Sequence, residues 1–206
     1  MSHSWSSLTF VPGDEAVQQL RESWSWLLRE PFVPVLFSVL GDVFFEPRSG
    51  GVWWLNAGTA EVSRVAGSVA EFEGLLETDL VDDWFMPDLV ERLHAAGKRP
   101  SPGECFSYGT LPVFKEGTYE VSNLNPVNAR EHFALTGHVL QEIRELPDGA
   151  KVRINVGSWP AAPAAPAAPD APAAPAAPDA EVAHRPGAVL CRGPLSGSMA
   201  RLRPFR

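Results

Sequence analysis

The 206-residue chain carries a formal charge of −8, with 25 Asp and Glu against 17 Lys and Arg, 45% hydrophobic residues, 20 prolines and two cysteines. An acidic balance argues against nucleic acid and anionic lipid as direct partners and favours basic proteins. Two separate cysteines, Cys105 and Cys191, form neither a disulfide framework nor a metal-ligand cluster, and no stretch reaches the roughly 18 apolar residues of a membrane span.

The charge is unevenly divided. Residues 157–206 hold five arginines against Asp170, Asp179 and Glu181, a balance of +2, which leaves −10 on residues 1–156. The opening MSHSWSSLTF lacks the cationic start and apolar core of a secretory signal, so a cytoplasmic address is expected. Next, Asp14 to Glu30 places Val17, Leu20, Trp24, Leu27 and Leu28 at helical spacing with Pro31 closing the run, which predicts an amphipathic helix with Trp24 in the core. Phe32 to Leu40 is a candidate strand, and Gly41 breaks it before Asp42 to Glu46. Val52 to Asn56 and Ala60 to Val65 follow, joined by glycine-bearing connections, and together these segments predict an antiparallel meander. The Phe44/Phe45 and Trp53/Trp54 pairs make both faces apolar, so this part of the sheet is expected to be covered on both sides.

Ser68 followed by Glu71 is a capping box opening a helix with Phe72, Leu75 and Leu76. Pro87 starts another helix, with Leu89, Val90 and Leu93 inward and Gly97 as its C-cap. Around and between them the acids concentrate: Glu71, Glu73, Glu77, Asp79, Asp82, Asp83, Asp88 and Glu91. Solvated helix faces and N-terminal dipole partners account for most such residues, and the alternative is a recognition surface for a basic partner. The calcium-loop pattern is missing and no histidine pair adjoins, which disfavours a metal. Glu71, Glu73, Glu77, Asp79, Asp82 and Asp83 are the candidate partner-binding residues.

From Gly103 to Asn155 the pattern predicts a strand, a turn, a second strand around Thr118 to Val121, and a long helix. Two starts compete for that helix. Asn125-Pro126 fits a first-turn proline, and Asn128 with Glu131 fits a capping box three residues later. Phe133, Thr136, Leu140 and Ile143 then draw one mostly apolar stripe, Pro147 to Gly149 stop it, and Lys151 to Val156 alternates like a strand. Past Trp159, Ala-Ala-Pro triplets cannot bury enough side chain to offset ordering, so a disordered, semi-rigid spacer with a basic end is expected. The fold class is therefore α+β: an antiparallel meander packed by helices in a single domain, with a disordered Ala/Pro-rich tail. The expected boundaries are a helical lead at 1–30, the domain at 31–156 and the tail at 157–206.

No catalytic constellation emerges. G-x-S-x-G, G-x-G-x-x-G after a strand, and H-E-x-x-H are all missing, and no catalytic, cofactor or metal residue is assigned. His132 and His138 lie six residues apart on one predicted helix, about 240° around it, and cannot share a metal. Cys105 and His138 are the residues that a thiol enzyme or hydrolase would have to use.

Gly41-Asp42-Val43-Phe44-Phe45, Val52-Trp53-Trp54-Leu55-Asn56, Glu104-Cys105-Phe106, Pro112, Tyr119, Asn123-Leu124, His132-Phe133, Gly137-His138-x-x-Gln141 and Leu146-Pro147-Asp148-Gly149 together resemble the C-terminal domain of Tdi-type immunity proteins of the type VI secretion system. That family was formerly a domain of unknown function and is similar to the SUKH group of small α+β toxin binders. The resemblance spans roughly residues 30–156. It implies a non-enzymatic bacterial protein, without cofactor, that neutralises a cognate toxin, such as a DNase effector, through protein–protein contact. Two features depart from the family pattern. Residues 113–118 read Val-Phe-Lys-Glu-Gly-Thr where paired glycines are usual, and a helical lead replaces the extra N-terminal domain of many relatives. The alternatives are a general intracellular interaction module and an enzyme built on Cys105 or His138.

Overall fold

Four strands pair in the order in which they occur along the chain. Strands β1 (Phe32–Phe37), β2 (Val43–Pro47), β3 (Val52–Asn56) and β4 (Glu61–Ala66) form the expected antiparallel meander. The computed structural model describes residues 4–147 and 149–152, all within a unit spanning Met1–Ile154. The Ala/Pro tract, the basic end, Cys191 and most of the expected strand from Lys151 to Val156 lie outside the described residues. Lys151 and Val152, which are described, are not in a strand.

Each reversal of the meander has a local cause. Gly41 takes φ +88° between β1 and β2, a conformation that side chains rarely adopt. Between β3 and β4 the Asn56 carboxamide oxygen accepts from the N–H groups of Gly58 (2.9 Å) and Thr59 (3.1 Å), an Asx-type turn. The positive φ of this turn falls on Ala60 and not on Gly58.

Helix α1 (Trp5–Leu8) had no periodic signal at only four residues. Helix α2 (Asp14–Ser23) is shorter than the expected run to Glu30. The chain leaves the helix where Trp24, fully buried, turns into the core, and the N–H groups of Leu27 and Leu28 both return to the Trp24 carbonyl. Proline 31 therefore does not terminate it. Trp24 is a core residue, as the helical stripe predicts.

Helices α3 (Val69–Leu75), α4 (Leu80–Phe85) and α5 (Pro87–Ala95) follow the sheet. Ser68 caps α3 as read from sequence: its Oγ accepts from Glu71 N–H at 3.2 Å, and the Glu71 carboxylate returns to Gly67 N–H at 2.7 Å. Pro87 opens α5, Leu89, Val90 and Leu93 are buried, and Gly97 follows the helix at φ +78°. The six-residue α4 is too short to show periodicity. It is held by Trp84 and Phe85, which join Phe44 and Phe72 in an aromatic cluster with centroids 4.8 to 5.8 Å apart.

Strands β5 (Glu104–Tyr108) and β6 (Leu124–Asn128) make a separate antiparallel pair, and α6 (Ala129–Ile143) comes directly after β6. Two expectations are corrected here. The second strand is not Thr118 to Val121. Residues 111–121 fold as turns because the Asn123 side chain supplies what a strand partner would: its oxygen accepts from Thr110 N–H, and its amide donates to the carbonyls of Thr110 and Thr118, all at 2.8 Å. Nor does Pro126 open the helix. It sits in β6 opposite Phe106, in a two-stranded sheet whose outer edge tolerates a residue without N–H. The later start is the one used, with Asn128 Oδ1 accepting from Arg130 N–H at 2.9 Å.

Phe133, Thr136 and Leu140 are buried as the stripe predicts, and His132, Gly137 and Val139 join them. Gly137 brings α6 onto α2, since a Cβ there would lie 2.7 Å from the Ser23 carbonyl oxygen. Of the paired aromatics in the sheet, Phe44 and Phe45 are buried on both faces, whereas Trp53 and Trp54 are half-buried.

Candidate functional site

The six nominated acids all belong to one short stretch of chain. Glu71 and Glu73 lie on α3, Glu77 and Asp79 in the connection to α4, and Asp82 and Asp83 in the first turn of α4, and every one of them is exposed. The stretch 71–83 has no lysine or arginine. None of the six is ion-paired to a basic side chain among the described residues, and Glu71 alone has a described partner, the Gly67 N–H. Leu80, next to Asp79 in the chain, is 39% exposed. Phe72, Trp84 and Phe85 on the inner faces of α3 and α4 fix this surface to the sheet through Phe44. Like charges can be this dense because each is solvated and several stand at helix N-termini, where the dipole favours them.

The interior beneath β5 and α6 has the opposite character. Asp42, Asn56, Ser107, His132 and Thr136 are buried polar residues. The Asp42 carboxylate accepts from Ala57 N–H at 2.9 Å. Burial pushes its pKa up from 3.8 to about 7, opposed by the Ala57 N–H and by the Trp54 indole, whose Nε1 stops short of full hydrogen-bonding geometry. Tyr119 Oη accepts from Asn56 Nδ2 at 3.1 Å, and its ring stands edge-on to Tyr108 with centroids 5.7 Å apart. His132 Nδ1 is 2.9 Å from Ser107 Oγ, and its Nε2 edge lies against the Gly41 main chain. Burial lowers its pKa from 6.5 to about 4, with the Gly41 backbone opposing, so the ring is neutral near pH 7. Sequence reading placed both residues within the family resemblance without assigning them a role. A carboxylate directly after a strand-breaking glycine was the available signal for Asp42.

The residues that an enzyme would have used are not assembled. Cys105 is completely buried in β5 and unbridged. Burial, with Asp42 and Glu104 adding negative charge, holds its thiol far above the usual range, the reverse of what a nucleophile requires. His138 is on an exposed face of α6, whereas His132 is buried, so the two histidines point apart as their spacing predicts. Among the described residues no group of three or more His, Cys, Asp or Glu side chains is placed to hold a metal, and no helix is long and apolar enough to cross a membrane. An open groove between α1 and α5, lined by Ser4, Ser7, Glu91, His94 and Arg99, mixes both signs of charge and converges on no point.

Fold and surface together define a small α+β domain with a carboxylate-rich face and a closed interior. Residues 67–139 match the family described as the T6SS immunity protein Tdi1, C-terminal. This is the family that the sequence resembles, over a narrower stretch than the resemblance itself covered. The match runs from the capping turn of α3 into α6 and holds twelve acidic residues against five basic ones. No curated protein matches the chain.

Proposed function

We propose that this chain is a non-enzymatic, cytoplasmic immunity protein that neutralises a cognate toxin by covering it, with Glu71, Glu73, Glu77, Asp79, Asp82 and Asp83 as the contact surface. The observation that carries the reading is a coincidence of position: the segment similar to a type VI secretion immunity domain begins at the acid-only run 71–83. A nuclease effector must grip phosphates with lysine and arginine, and a fixed row of carboxylates competes for the same groups. The aromatic cluster anchors the helices that carry these acids, which lowers the ordering cost of association, and the exposed Leu80 offers an apolar contact beside them. The buried, protonated thiol of Cys105 supports a role in binding and not in chemistry.

The test is co-expression with a candidate toxin taken from an adjacent gene, scored for survival. Wild type rescues the host, and Cys105→Ala and His138→Ala rescue equally. The triple variant Asp79→Lys, Asp82→Lys, Asp83→Lys loses rescue and no longer co-purifies with the toxin. Rescue undiminished by that triple reversal removes the acidic surface from the proposal, and loss of rescue with His138→Ala or Cys105→Ala favours an enzyme.

A further inference from the structure

Residues 111–121 lie between β5 and β6 and form neither helix nor strand, yet they are tied down along their whole length. Leu111 is buried and Phe114 packs against the core. Two successive turns join them to Gly117: Phe114 N–H donates to the Leu111 carbonyl at 3.0 Å, and Gly117 N–H to the Phe114 carbonyl at 2.9 Å. Gly117 lies so close to the Leu111 carbonyl that a Cβ would not fit. Further on, the Asn123 amide donates to the Thr118 carbonyl, Asn56 Nδ2 donates to Tyr119 Oη, and Lys98 Nζ donates to the Val121 carbonyl. Val113 is what this framework leaves outside. It is 43% exposed, against 39% for Leu80 and 37% for Leu135, the other large apolar side chains exposed within the matched segment. A fixed, irregular backbone that holds an apolar side chain in water adds little to the fold, and it spares a partner the cost of ordering it.

The loop and the acidic helices are anchored on the same face of the meander. Phe44 pairs across β2 and β3 with Trp54, stacks on its ring, and meets Phe72, Trp84 and Phe85 of α3 and α4. Side chains alternate faces along a strand, so Asn56, two residues beyond Trp54 on β3, is on that face too, and Asn56 is the residue that holds Tyr119. The two anchor points are thus about 7 Å apart along one strand. We propose that Val113 is a second contact for the toxin, an apolar one standing on the same face as the carboxylates, and that the partner is a folded protein whose basic patch is bordered by an apolar depression. This inference rests on the immunity reading and deepens it: the acids 71–83 supply attraction that salt screens, and Val113 supplies a contact that salt leaves intact.

The experiment is titration calorimetry of the full chain against a catalytically inactive form of the adjacent-gene toxin, at low and at high salt. Val113→Asp weakens binding about tenfold at both salt concentrations, with its thermal unfolding midpoint unchanged. Towards a basic partner an added carboxylate would tighten binding by charge alone, so weakening reports the lost apolar contact. Val113→Thr, which keeps the shape of the side chain, weakens binding by a smaller factor. Val11→Asp is the control: Val11 is 71% exposed and lies outside the matched segment, and its variant binds as wild type does. Wild-type affinity in Val113→Asp, or an equal loss in Val11→Asp, overturns the proposal. Where the Asp79, Asp82 and Asp83 reversal abolishes binding and Val113→Asp does not weaken it, the immunity reading stands and this contact falls. Where the wild type itself binds no toxin, both fall.

Discussion

The domain has two sides that treat polar groups in opposite ways. On the α3–α4–α5 side the interior is aromatic and hydrocarbon, and the acids stay in water. On the β5–α6 side polar groups go inside, where Asp42, Ser107 and His132 need partners and where ionisation is penalised. Charge outside costs the fold little and is free to serve association. Charge inside is coupled to stability, so it responds to pH. The exposed acids and the pH-sensitive interior groups are thus separated by burial within one small domain.

The largest effect that would break this contrast is on the aromatic side. Phe44→Ala removes the ring shared by Phe72, Trp84 and Phe85 and should destabilise the fold by about 4 kcal/mol in denaturant titration. A loss below about 1 kcal/mol would mean that the acidic surface is not anchored there.

The polar side should reveal itself through pH. Asp42 has a folded pKa raised from 3.8 to about 7, so the stability it contributes is full below 3.8 and is lost as pH rises towards 7. His132 has a folded pKa lowered from 6.5 to about 4, so its contribution is full above 6.5 and is lost as pH falls towards 4. The slopes oppose each other between pH 4 and 6.5, and wild type should be nearly flat there on account of this pair. Asp42→Asn leaves the histidine alone, and stability should then fall by roughly 3 kcal/mol from pH 6.5 to 4. Thermal unfolding across that range checks it, and an Asp42→Asn profile as flat as wild type would remove the opposition.

Smaller effects sharpen the outer side. Ser68→Ala removes the α3 cap and should cost about 1 kcal/mol by chemical denaturation. Reversing Asp79, Asp82 and Asp83 to lysine at the start of α4 should cost about 1 kcal/mol of stability while abolishing capture of a basic partner, with wild-type capture itself weakening as salt rises.

The same contrast explains what could be read from the sequence. The meander, the Ser68 cap and the Pro87 start depend on neighbours within a few residues, so local pattern found them. The Thr118 to Val121 strand failed because Asn123 reaches back to Thr110, a contact that composition does not announce. The Asn125-Pro126 helix start failed because Pro126 is at a sheet edge, which only topology defines. The acids were visible because exposure needs no partner. The pairing of Asp42 with Ala57 and of His132 with Ser107 joins residues 15 and 25 positions apart, beyond the reach of periodicity.

Lys98 stands between these two sides. Its ammonium is turned inward, just after α5, and bonds to main-chain carbonyls 23 and 26 residues further on. One rivet thereby fastens the end of the helical layer to the approach of β6, bypassing the whole intervening excursion. Slow amide exchange in α5 and in β6 should be lost at a common rate, as one foldon, and Lys98→Met should split that rate in two.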